Sequence, residues 1–354
     1  MTTVPTAPAM TRRLRVLLWH VHGSWTTSFV QGGHTYLLPT LPEGGPWGRG
    51  RCGRPWPRGA REVTPKDLRD TDVDVVLLQR PEELELTERW TGRRPGRDLP
   101  AVYVEHNTPR GDVPNTRHPL ADRADIPLVH VTHFNELMWD SGRAPTAVIP
   151  HGVVDPGERY TGELERAAVV INEPIRRWRV TGTDLLPALA EAAPLDVYGM
   201  RLTGLNERTG VGPRRLRPVG DLDSGTLATE LARHRVYLHT ARWTSLGLSL
   251  IEAMHLGMPV VAVASTEAPR AVPPEAGAVS ADVGELAGAV RELIDDPDTA
   301  RRMGKHAREF ALAHHGLQAF LHRWDSLLAR TLRAGGPIAV AREAAARAET
   351  EVNR

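Results

Sequence analysis

The chain has 354 residues, 41% of them hydrophobic and 25% charged, and its 44 Lys and Arg against 43 Asp and Glu leave a formal net charge of +1. That balance is ordinary for a globular protein and offers no broad attraction for nucleic acid or an anionic membrane, so small-molecule chemistry is the expectation. A single cysteine, Cys52, excludes an internal disulfide and gives no sign of an oxidising compartment, which predicts a cytoplasmic protein.

In chain order, the first apolar run, LRVLLW, is too short for a signal-peptide core, and no run reaches the roughly 18 to 20 apolar residues of a membrane span. Short apolar runs bounded by turn residues then alternate with helical patterns: RVLLWHV at 15–21, VDVVLLQ at 73–79, PAVYVEH at 100–106 and PLVHVTH at 127–133. Strands so nearly continuous in apolar residues predict burial on both faces, as in a parallel sheet. The loop HGSWTTSFVQGGHTYLL lacks the G-x-G-x-x-G spacing of a dinucleotide site. Its Gly32-Gly33 pair is read as preceding a short helix, where backbone N–H groups could approach an anion, with a simple turn as the equal alternative. The Gly/Pro/Arg-dense stretch 39–59 is predicted irregular, either a substrate loop or a surface excursion. Asp72 and Asp74 have D-x-D spacing but start a strand, so no metal is assigned to them. His130 and His133 flank an apolar strand end, and no His/Cys/Asp/Glu cluster has convincing zinc or iron spacing.

After Pro150 the alternation begins again, with AAVVINE at 167–173, LDVYGM at 195–200, RVYLHT at 235–240 and PVVAVA at 259–264 separated by helices such as GTDLLPALAEAA and SGTLATELARHR. The expected fold class is therefore α/β, with two doubly wound Rossmann-like domains. Their expected limits are 1–155 and 156–318, followed by a helical segment and tail at 319–354.

The most informative stretch is TARWTSLGLSLIEAMHLGMPVVAV, 240–263. A glycine-punctuated turn follows a strand, and a helix then runs to Gly257 and Pro259, which are helix-stop residues. The amides of Leu246, Gly247 and Leu248 are candidates for binding phosphate or sugar oxygens. Glu252 reads two ways. It completes a capping box with Ser249 as N-cap, or it faces a ligand.

This stretch resembles the signature of the retaining family 4 glycosyltransferases of the GT-B type, E-x-F-G-L-x-x-x-E-A-M-x-x-G-x-P-V-V-A. The resemblance implies two Rossmann-like domains facing each other across a cleft, with the acceptor on the N-terminal side and a nucleoside diphosphate sugar held by the C-terminal domain. Glu252 matches the second glutamate of the family's E-x7-E motif, which hydrogen-bonds the donor ribose; the first glutamate falls on Thr244, so the motif is degenerate. YVEHN at 103–107 resembles the strand end that presents a histidine beside the donor sugar, here His106. VIPHGVVDP at 148–156 resembles the interdomain linker, with His151 where Asn is common. VVINEPIRRWRVTGTDLL at 169–186 resembles the segment whose arginine and lysine neutralise the diphosphate. The lysine position is Thr181, and Arg176, Arg177 and Arg179 crowd the preceding loop, where guanidinium groups can bind phosphate bidentately.

The implied activity is sugar transfer to an acceptor hydroxyl, with retention, without metal and without a tightly bound cofactor. His106 and Arg176 are the catalytic candidates. Gly32, Gly33, Arg176, Arg177, Thr181, Thr244, Ser245, Leu246, Gly247, Leu248 and Glu252 are the donor-binding candidates. The expected partners are the nucleotide-sugar donor and a small-molecule, lipid or glycan acceptor, and no nucleic acid. An epimerase or phosphorylase on the same architecture, and a nucleotide-sugar binder without turnover, are the competing readings.

Overall fold

The computed structural model describes residues 12–334. They form two compact units. One comprises the described residues up to Gly152 together with those from Gln318 onward, and the other spans Val153–Leu317.

The first unit is built on a seven-stranded parallel sheet. In chain order its strands are β1 (Arg15–Leu18), β2 (Thr35–Pro39), β3 (Ala60–Val63), β4 (Val75–Leu78), β5 (Ala101–Glu105), β6 (Leu128–His130) and β7 (Thr146–Val148), arranged in space as β3-β2-β1-β4-β5-β6-β7. The four apolar runs read from the sequence are β1, β4, β5 and β6, and each is buried along nearly its whole length. Asp74 fixes the entry to β1, because its carboxylate accepts from the Arg15 backbone N–H at 2.7 Å and from Arg12 at 2.6 Å. The D-x-D pair thus has a structural duty.

The last described helix, Leu317–Ala334, belongs to this unit from Gln318 onward. Its Phe320 and Trp324 are fully buried and meet Trp25 edge-on, with ring centroids 6.2 Å and 5.7 Å away. His34 Nε2 donates to Asp325 Oδ1 at 3.1 Å.

The second unit repeats the plan with six parallel strands: β8 (Leu164–Val170), β9 (Leu195–Tyr198), β10 (Leu216–Gly220), β11 (His234–His239), β12 (Val260–Val263) and β13 (Gly277–Ser280), in the order β10-β9-β8-β11-β12-β13. Each face of this sheet carries its own core. One gathers Tyr237, Leu250, Ile251 and Met254, the other Leu186, Leu189, Leu286 and Val290. A buried carboxylate ties the sheet across its strands: Asp196 on β9 accepts from Arg166 Nε on β8 at 2.8 Å, Arg217 Nε on β10 at 3.1 Å and His234 Nε2 on β11 at 2.9 Å. Burial opposes its charge, but these hydrogen bonds prevail and hold its pKa well below the usual carboxylate range.

Candidate functional site

Both sheets reverse their strand order once, between β1 and β4 in the first unit and between β8 and β11 in the second. In open parallel sheets, ligands bind beyond the carboxyl ends of the strands at such a reversal.

In the second unit the loops after β8 and β11 interlock. Val180 O accepts the backbone N–H groups of Arg242 at 2.9 Å and Trp243 at 3.2 Å, and Thr240 Oγ1 donates to Thr181 O at 2.7 Å. Gly182, at φ +69°, lies directly against Thr240. Thr181 is only 2% exposed, and its hydroxyl is used inside the loop, donating to Trp178 O at 3.2 Å and pairing with Thr183 Oγ1 at 2.9 Å. The position expected to contact the donor is therefore a buried pin. A short side chain is what this tight crossing accommodates.

The arginines of this edge are oriented by carboxylates. Arg176 pairs with Glu173, which also accepts from Arg201 at 2.8 Å, while Arg179 and Arg242 both reach Asp184, each with a contact at 3.0 Å. Arg177 is half-buried in the same loop. Arg242, set by TARWTS directly after β11, was missed from the sequence; its place immediately after a strand end was the available signal. Strain concentrates here too. Glu173, Trp178, Arg201 and Thr266, on loops following β8, β9 and β12, all have positive φ without being glycine. Such outliers persist where surrounding structure over-determines them, which is common at ligand sites.

The helix after β11 runs Leu248–Leu256 and ends at Gly257, with φ 88°. Its start corrects the capping-box reading. The N-cap is Gly247, no side chain caps it, and Ser249 lies inside the helix, where its Oγ accepts from Tyr237 OH at 2.8 Å. Glu252 thus sits a full turn into the helix and does not serve as the N3 partner of a cap. The amides that open this helix lie at the positive end of its dipole, where an anion is favoured. Gly247 is required by the histidine beneath it, since a β-carbon there would lie 2.8 Å from His239 Cε1. Burial pushes the pKa of His239 down to about 4, so its ring is neutral near pH 7. Leu246 sends its side chain into the core, Ser245 is buried, and Thr244, Gly247, Leu248 and Glu252 are half-buried along the same edge.

In the first unit, His106 follows β5 beside the strand reversal. Its Nε2–H donates to Gln79 Oε1 at 3.0 Å, and Gln79 Nε2 in turn donates to Trp19 O at 2.8 Å, which defines the tautomer. The ring lies 4.1 Å from that of His22 and 6.4 Å from that of His151. Burial lowers the pKa of His106 well below its ordinary value, and the neighbouring histidines add to the effect. A neutral imidazole results.

Gly32 and Gly33 need a correction. The short helix, Gly23–Phe29, precedes them, and they lead into β2. They therefore lie at the amino end of a parallel strand, opposite the edge where ligands bind, and the helix that would have supplied the anion argument does not follow them. Gly32 has a packing reason to be small: a β-carbon would lie 2.3 Å from Tyr36 OH. The glycine at the ligand-facing edge is Gly23, which opens that helix after β1. The 39–59 stretch is irregular and well anchored, with Arg51 N donating to Glu62 at 2.8 Å and Trp56 Nε1 to Thr27 Oγ1 at 2.9 Å. His130 is buried near Ser141 Oγ at 3.3 Å, whereas His133 is exposed.

Among the described residues, no group of three or more His, Cys, Asp or Glu is placed to hold a metal ion, and no helix is long and apolar enough to cross a membrane.

Residues 214–310 match the family described as Glycosyl transferases group 1. The sequence matches no curated protein. Among solved structures, the chain is similar to sucrose-phosphate synthase from Thermosynechococcus elongatus, with a TM-score of 0.68 and 17% identity, covering 91% of this chain and 100% of that one. Similar too is HepE of Anabaena in complex with UDP, with a TM-score of 0.66 and 14% identity over 90% and 100% of the two chains. TarM of S. aureus, in a complex containing UDP, gives a TM-score of 0.58 at 14% identity, over 72% of this chain and 55% of that one. The architecture, two parallel-stranded α/β sheets, is the GT-B fold.

Proposed function

We propose that this GT-B glycosyltransferase holds a nucleoside diphosphate sugar at the carboxyl edge of its second sheet and moves the sugar to an acceptor hydroxyl, with retention and without a metal ion. The observation that carries the reading is the interlocked crossing of the loops after β8 and β11, which brings an arginine-rich segment and the start of the Leu248–Leu256 helix to one strand reversal. That edge lies in the unit containing the whole of the group 1 match, and HepE, of the same fold, binds UDP.

In the reaction, the bond between the anomeric carbon and the diphosphate oxygen breaks, the acceptor oxygen bonds to that carbon, and the acceptor proton leaves on the departing nucleoside diphosphate. Negative charge builds on the phosphate, and preorganised donors aimed at it are the largest expected contribution. Arg176, Arg177 and the amides of Gly247 and Leu248 take that role. The guanidinium groups remain charged at any working pH. Glu252 receives the ribose hydroxyls, and Thr244 and Ser245 line the approach with hydroxyl groups. Neutral His106, in the first unit, suits a sugar hydroxyl.

A panel of nucleotide sugars, assayed for nucleoside diphosphate release with and without acceptors and with a chelator present, tests the reading. The anomeric coupling constant of the product reports retention. Thr244, standing where the family has a carboxylate, favours a second reading in which the donor is bound but not turned over. Saturable binding with no release for any donor and acceptor pair would select it.

A further inference from the structure

The strand reversal of the first unit carries a cationic cluster that the donor reading does not use. Arg80 follows β4. Its Nε donates to Glu83 Oε1 at 2.8 Å, its guanidinium carbon lies 3.9 Å from the ring centroid of Trp47, and its Nη2 is buried without a hydrogen-bond partner. A buried charged donor left unmade is costly, and Arg80 Nη2 is the only guanidinium nitrogen so placed among the described residues.

Glu83 does not supply the missing acceptor. It is fully buried, and its second oxygen already accepts the backbone N–H groups of Gln79 at 2.6 Å and Arg80 at 3.3 Å. Nor is Glu105 available, since it accepts from His118 Nε2 at 3.1 Å and Asn107 N at 2.6 Å. The neighbourhood adds positive charge. Arg54 lies so close to Gly23 that a β-carbon there would be 2.5 Å from its Nη2, and His22, the residue before Gly23, feels the charge of Arg80. A group that only accepts hydrogen bonds would complete this arrangement.

We propose that the acceptor carries an anionic group, a phosphate or a carboxylate, held by Arg80 Nη2 with Arg54 as a second cation and Trp47 as the wall against which the guanidinium stays flat. An oxyanion matches a guanidinium edge geometrically, and the pair gains strength where water is partly excluded. The inference rests on the transferase reading only in calling the bound molecule the acceptor.

The test is calorimetric titration of the full chain with glucose 6-phosphate, glucuronate and uncharged glucose, in the presence of saturating UDP. Binding of one anionic sugar, at least about tenfold tighter than glucose, is expected, and the tighter of the two identifies the group. Arg80→Gln and Arg54→Gln should each weaken that binding by about tenfold or more while UDP affinity stays unchanged. Because Arg80→Gln leaves Glu83 without its cation, the double variant Arg80→Gln/Glu83→Gln, which keeps the buried charges balanced, is measured beside it. Equal binding of all three sugars by the wild type, or unchanged anion binding by folded Arg80 variants, would overturn the proposal. Absence of UDP binding with the anion effect intact would count against the donor reading alone.

Discussion

Gly182 and Thr240 approach so closely that a β-carbon on the first would lie 1.9 Å from the carbonyl oxygen of the second. This contact sets the spacing of the two loops at the second strand reversal, and the positive φ of Gly182 adds a backbone reason against any side chain there. Gly182→Ala is expected to destabilise the second unit by about 1 to 3 kcal/mol or more and to weaken nucleotide binding. Thermal melting with and without UDP checks both effects. An unchanged melting temperature would mean that the loops separate freely.

Glu252→Gln distinguishes a role in recognition from one in folding. If Glu252 holds the donor ribose, Glu252→Gln should weaken UDP or UDP-sugar binding by about tenfold or more, and a fall in melting temperature with unchanged binding would assign it a framework role instead. Gly247→Ala should do the reverse in part, disturbing the loop through His239. Titration of both variants with UDP distinguishes a ligand contact from a framework contact.

Arg176 is 67% exposed and its only described partner, Glu173, lies on the same loop, so the fold has little need of it. Arg176→Gln should therefore lower kcat more than stability, by about ten- to a hundredfold if it meets the leaving diphosphate. Arg242→Gln breaks the tie to Asp184 as well and should affect both. Steady-state kinetics beside melting curves resolve the two.

Burial raises the pKa of Glu83 to about 7, with Arg80 opposing the shift. A carboxyl whose folded pKa lies above its unfolded value stabilises fully below the unfolded pKa, and that contribution is lost as pH rises through the folded one. The first unit should lose roughly 3 kcal/mol between about pH 4.5 and pH 7 from this group. Glu83→Gln should flatten that slope. Denaturation followed by tryptophan fluorescence across this range measures it.

Asp196 has the opposite sign. Its pKa is depressed, so its contribution is present above the ordinary carboxylate range and is lost as pH falls through the folded value. Asp196→Asn leaves three cationic or polar groups facing a weaker acceptor and should cost about 3 to 5 kcal/mol. Urea denaturation at neutral pH tests the magnitude, and a flatter acid limb in the variant tests the origin.

The legible parts of the chain were those in which sequence neighbours are also spatial neighbours. Strands β1, β4, β5 and β6, and β8, β9, β11 and β12, are central and carry buried apolar runs, and the turn, helix and Gly-x-Pro stop at 240–263 follow one another without interruption. Edge strands such as β3, with AREV, and β10, with LRPVG, half-expose their residues and lack that signature. Strand β2 was hidden by a different cause. GSWTTSF is a weak helical sequence, and the burial of Trp25 and Phe29 against Trp324 is what supports the turn of helix before it. Within the site, Glu252 and the 246–248 loop came from local pattern, whereas the burial of Thr181, the Arg242 tie and the Arg80–Trp47 stack depend on contacts across the sheet.

The return of the chain to its first unit at Gln318 has a consequence for synthesis. Trp25, near the start, finds Phe320 and Trp324 only after the whole of Val153–Leu317 has been made. On the ribosome, the continuous second unit can finish folding while the first still exposes an aromatic socket. The last described helix completes an aromatic cluster begun some three hundred residues earlier, and truncation ahead of it should leave a folded second unit joined to an aggregation-prone first one.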